Sequence, residues 1–77
     1  MATPKKIAML LFGAGYRLSL TDGHYRFSDR SGKTLLQRDQ PPSRFDFEVL
    51  QFAKGSGIII SSNTDVAEVA RELAQME

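Results

Sequence analysis

The sequence predicts an α+β fold: a helix, a three-stranded antiparallel meander, a second helix, a short strand or loop, and a C-terminal helix. Three observations predict it. Apolar residues recur at helical spacing in three separate segments, polar and apolar residues alternate between Arg17 and Arg38, and turn-forming residues separate the alternating runs. The chain has 77 residues, read as one domain over 1–77 because a second core has no room to form.

Thr3-Pro4 reads as a helix start, with a hydroxyl N-cap followed by proline at the first helical position, where its missing N–H costs nothing. Ile7, Leu10 and Leu11 set the apolar stripe, Met9 and Phe12 widen it, and Gly13 or Gly15 ends a helix of about residues 4–12. Arg17 to Thr21 alternates as a half-buried strand. Asp22-Gly23 is a hairpin dipeptide, because both central residues of the tight primed turn need positive φ. His24 to Ser28 alternates again. Leu18, Leu20, Tyr25 and Phe27 then share the buried face, and Arg17, Ser19, His24 and Arg26 the open one. Asp29-Arg30-Ser31-Gly32 makes the next turn, and Lys33 to Arg38 a third strand.

Asp39-Gln40-Pro41-Pro42 is a connector. Ser43 with Asp46 resembles a capping box opening a helix to about Lys54, with an apolar face of Phe45, Val49, Phe52 and Ala53 and with Leu50 beside it. Gly55-Ser56-Gly57 stops that helix, and Ile58-Ile59-Ile60 is a buried strand or packed loop. The capping-rich run Ser62 to Asp65 precedes a last amphipathic helix carrying Val66, Val69, Ala70, Leu73 and Met76.

Composition narrows the function classes. At 42% hydrophobic and 25% charged the chain is globular. It has no cysteine, which removes disulfide, thiol and Cys-zinc chemistry and fits a reducing compartment, so the cytoplasm is the expected location. The longest apolar run, Ile7 to Phe12, is too short to span a bilayer, and no small-residue cleavage pattern follows it, so neither a membrane nor a secretory signal is expected. So small a core contributes only about 3–5 kcal/mol, which leaves room for stabilisation by a homodimer or a partner. Charge is uneven. Residues 1–45 carry eight basic side chains against three acidic ones, and residues 46–77 carry two against six. A basic front can face nucleic acid, while solvated faces or pairing between the two halves account for the same pattern.

Ser31-Gly32-Lys33-Thr34 invites a phosphate-loop reading, but the glycine needed five residues before Gly32 is Phe27, and the segment joins two strands. Ile58 to Asp65 resembles the Asp-bearing strand end of PIN and NYN nucleases, yet those folds are much longer, and a helix N-terminal charge explains Asp65 without a metal. No spacing suits a metal site, and no cofactor is expected. His24, the single histidine, lies on the open hairpin face between Arg17 and Arg26. It reads either as an exposed strand residue or as a general acid/base for RNA, whose own 2′-hydroxyl supplies the nucleophile.

Two family resemblances sharpen these alternatives. Gly15-Tyr16 after the first helix, Gly23-His24-Tyr25-Arg26-Phe27 opening the second strand, then Thr34 to Arg38, Pro41-Pro42 and Phe45 to Gly55, resemble HicA-type mRNA interferases and their dsRNA-binding-like relatives over Lys6 to about Gly57. The resemblance implies RNA binding, with His24 as the catalytic histidine of an active, metal-independent endoribonuclease toxin. The serine that the family places between glycine and histidine is absent, the connector is not basic, and Ile58 to Glu77 has no counterpart. Gly15 to Leu20 with Asp22-Gly23 and Tyr25 to Phe27 is also similar to the hairpin of TubC-type megasynthase docking domains, which implies a protein partner met by a charged hairpin.

The expectation is therefore an RNA-binding domain, RNA before DNA, in which Arg17, Arg26, Arg30, Lys33 and Arg38 meet phosphates, Lys5 and Lys6 add charge, and His24 is the catalytic or base-contacting group. The rival is a protein-interaction module, either a docking domain or a small inhibitor of host machinery encoded by a phage or other mobile element. Enzymatic activity is not the default in either.

Overall fold

The computed structural model describes residues 3–54 and 60–76, with 51–54 described in their backbone alone. Helix α1 spans Pro4–Gly13. Thr3 is its N-cap, its hydroxyl accepting from the Lys6 N–H at 3.2 Å, and Pro4 takes the first turn. The C-terminus closes by two crossed bonds, Gly15 N–H to the Phe12 carbonyl and Tyr16 N–H to the Leu11 carbonyl, both 3.0 Å. That double closure needs a left-handed residue after the cap, and Gly15 supplies it at φ +96. A Cβ there would lie 2.3 Å from the Arg30 Cβ, so the position is glycine for space as well as for backbone.

Three strands follow, β1 (Arg17–Thr21), β2 (His24–Ser28) and β3 (Thr34–Arg38), in an antiparallel sheet of order β1-β2-β3. Asp22 and Gly23 have φ of 50 and 83, the primed turn that the dipeptide predicts, and Thr21 faces His24 directly. Between β2 and β3 the register slips by one residue after Phe27, leaving Leu35 as a bulge. Asp29 organises that turn: its Oδ1 accepts from the Ser31 N–H, the Ser31 hydroxyl and the Lys33 N–H at 2.9, 2.6 and 3.1 Å.

The remaining helices are α2 (Arg44–Lys54) and α3 (Val66–Ala74). The Ser43–Asp46 box forms: the Ser43 N–H and hydroxyl donate to the Asp46 carboxylate at 3.2 and 3.0 Å. Asp65 caps α3, accepting from the Glu68 N–H at 3.2 Å. Helix α1 packs along α3, and α3 lies on β1. The core joins Ile7, Ala8 and Leu11 of α1, Leu18, Tyr25 and Phe27 of the sheet, Phe47 and Leu50 of α2, and Val66, Val69, Ala70 and Leu73 of α3. Phe27 is its centre, meeting Tyr16, Tyr25 and Phe47 edge to face with ring centroids 6.4, 6.4 and 5.0 Å away.

Two helices turn differently from expectation. In α1 the inward stripe is Ile7, Ala8 and Leu11, while Met9 and Leu10 are exposed, because the helix is apolar over most of its circumference and packing on α3 chooses the face. In α2 the buried residues among those described are Asp46, Phe47 and Leu50, and of the expected face Phe45 and Val49 point outward, 69% and 39% exposed, while the side chains of Phe52 and Ala53 lie outside the described residues. The reason is polar. Asp46, 3% exposed, accepts from the Tyr25 hydroxyl as well as from Ser43, and Arg38 Nε stands 3.6 Å from its Oδ1. Holding that carboxylate over Tyr25 brings Phe47 onto Phe27 and turns Phe45 to solvent. Ile60 is buried outside any strand, and the Gly55–Gly57 stop with Ile58 and Ile59 lies outside the described residues. Among the described residues no helix is long and apolar enough to cross a membrane.

Candidate functional site on the open sheet face

Strand alternation divides the sheet by chemistry. Leu18, Leu20, Tyr25 and Phe27 face the helices. Arg17, Ser19 and Thr21 lie opposite Ser28, Arg26 and His24 in register, and together they form the other face, where Arg17, Ser19, Thr21, His24 and Arg26 are all exposed. The type I′ turn fixes this register, and a one-residue slip would exchange the two faces.

At the hairpin end of this face, Thr21, His24, Arg26, Gln37, Arg38 and Asp39, among others, line a shallow depression of about 120 Å³. His24 Nδ1 is 3.2 Å from Asp39 Oδ1. Both side chains are exposed, 55% and 90%, so this is a surface contact that leaves the imidazole accessible and fixes it only weakly. Arg26 stands beside His24 on the same strand face, across from Gln37. An imidazole, a guanidinium and an amide over one depression can hydrogen-bond a base edge or a phosphate and can move a proton to or from a bound hydroxyl.

The other expected contacts separate. Arg17 curls back on α1, its Nη1 donating to the Phe12 and Tyr16 carbonyls at 3.1 and 2.9 Å and its guanidinium 3.8 Å from the Phe12 ring centroid. A cation there meets the negative end of the helix. Arg30 and Lys33 sit in the β2–β3 turn near the same end of the sheet. Lys5 and Lys6 are on the first turn of α1. Arg38 pairs with Tyr25 on the core side, its Nε 3.6 Å from Asp46 Oδ1, while its partly exposed side chain also lines the His24 depression. No family model, curated protein or solved structure matches this chain. Its chemistry therefore stands on its own geometry.

Asp39 is the site residue that sequence reasoning missed. It faces His24 because the β2–β3 register, set by the bulge at Leu35, continues one step past Arg38. Nothing in the local pattern marks that bulge. Among the described residues no group of three or more acidic or histidine side chains could hold a metal ion.

Proposed function

We propose that this domain binds single-stranded RNA across the open face of its sheet, with Arg26 and the turn cations meeting phosphates and His24 meeting the base or the ribose. The observation that carries the reading is the exposed sheet face on which His24, close to Asp39, stands beside Arg26 over one depression. Six cations, Lys5, Lys6, Arg17, Arg26, Arg30 and Lys33, have no ion pair among the described residues, so their charge is available to a polyanion.

RNA affinity should fall steeply with salt, and Arg26→Ala should lower it about tenfold while flattening the salt dependence by roughly 0.7 in log–log slope, one phosphate contact on a single strand. Absence of RNA binding at low ionic strength would remove the reading. Cleavage is its stronger form: the His24 imidazole takes the 2′-hydroxyl proton, O2′ bonds to phosphorus as the P–O5′ bond breaks, and the imidazolium returns that proton to the departing 5′-oxygen, leaving a 2′,3′-cyclic phosphate. His24→Ala with unchanged turnover would end that form and leave binding standing.

A second reading has its own observation. Phe45 and Val49, four residues apart on α2, form an exposed apolar pair of the kind that marks a protein contact. Under this reading the domain is an interaction module whose contact lies on α2, apart from the charged hairpin that the TubC-type resemblance implies. A pull-down from the native host should recover one stoichiometric partner that Phe45→Ser loses and Arg26→Ala keeps.

A further inference from the structure

A second and larger depression, about 420 Å³, opens where the end of α1 meets the β2–β3 turn, lined by Phe12, Gly15, Arg17, Ser28, Asp29 and Arg30 among others. We propose that it is a phosphate subsite, and that one RNA strand runs from it along the hairpin to the His24 depression. This rests on the RNA-binding reading and adds a path and a length to it.

Arg17 carries the case. Its guanidinium is held before any ligand arrives, stacked on Phe12 and bonded through Nη1 alone, while Nε and Nη2 have no hydrogen bond among the described residues. That is the edge with which arginine grips a phosphate through two parallel bonds, and fixing the side chain in advance lowers the entropy lost on binding. Arg30 adds a second cation on the same wall. The carboxylate in the cleft, Asp29, has its Oδ1 turned into its own loop by three donors.

The two depressions lie at opposite ends of the β1–β2 hairpin. Arg17 and Ser28 line the first, Thr21 and His24 the second, and the Ser19–Arg26 pair lies between them in register. Four residue steps of about 3.3 Å separate the ends, about 13 Å in all, a span that a short oligonucleotide can bridge and a dinucleotide cannot. Short side chains at Ser19, Thr21 and Ser28 leave the line between them low.

The test uses labelled oligouridylates of two, four, six and eight nucleotides with the full chain. Affinity is expected to rise about tenfold or more between two and six nucleotides. In Arg30→Ala, which keeps the Cβ packed against Gly15, and in Arg17→Lys, which keeps the charge without the two-point grip, the ratio of hexamer to dinucleotide affinity falls to about one. Arg26→Ala weakens every length. A rise that survives in both cleft variants overturns the subsite while RNA binding stands. Failure of the wild type to bind any length at low salt overturns the RNA reading and this path with it. A hexaglutamate peptide that binds equally well and displaces the octamer overturns the RNA assignment in favour of an acidic protein segment.

Discussion

Gly15 and Gly13 stand two residues apart and ask for opposite substitutions. Gly15 has φ +96 and no space for a side chain, since its Cβ would overlap that of Arg30. Gly15→Ala should therefore cost about 1–2 kcal/mol from the left-handed backbone alone, with the clash added. Gly13 is the last residue of α1 with nothing within 4 Å of a built Cβ, so Gly13→Ala should stabilise by roughly 0.5–1 kcal/mol. Urea unfolding of the two variants beside the wild type checks both signs. The sequence marked either glycine as the helix end; the contact with Arg30, beyond the β1–β2 hairpin in the chain, is what separates their roles. Residues whose role is set by their own backbone, such as Thr3, Asp22, Gly23 and Asp65, were legible in the same way. Asp39 was not, because its place opposite His24 depends on a bulge in a neighbouring strand.

Between elements, the Tyr25–Asp46 contact fastens β2 to α2. Burial first, then the hydrogen bond to Asp46 and its charge, push the Tyr25 hydroxyl well above the usual tyrosine range. A folded value raised above the unfolded one near 10 means that the contribution is complete below about pH 10 and is lost as pH rises beyond it. Thermal unfolding should thus show a fall in stability above about pH 10 that Tyr25→Phe reduces. Near neutrality the same variant should cost roughly 1–2 kcal/mol through the lost hydrogen bond. Tyr16, raised by burial and then by Asp29, titrates late as well, so alkaline absorbance of the two tyrosines should sit above that of the unfolded chain. This contact also explains why α2 was the least legible element. Its pattern held two apolar arcs, Phe45–Val49 and Phe47–Leu50, and hydropathy favoured the first. A buried carboxylate with three partners chose the second, and polar satisfaction across elements leaves no periodic trace. Phe45→Ser should accordingly change folding stability by no more than about 0.5 kcal/mol.

At the scale of the whole molecule, the Cα radius of gyration is 11.1 Å and one aromatic hub joins the sheet to the helices. A fold with about 3–5 kcal/mol to lose cannot absorb a cavity at that hub. Phe47→Ala, at about 3–5 kcal/mol, should abolish cooperative melting, which circular dichroism would show as a sloping trace without a midpoint. The α+β order was readable from the sequence because caps, alternation and turns are local. How the layers face one another was not, since Phe27 and Phe47 are distant in the chain. The open sheet face has a spectroscopic consequence. Its imidazole is the sole histidine of the chain, so a proton NMR spectrum contains a single ring Hε1 signal, placed beside Asp39 in the middle of the candidate interface. An oligonucleotide arriving on the sheet must move that resonance, whereas a protein seated on Phe45 and Val49 has no reason to, and one unlabelled sample reports which surface is occupied.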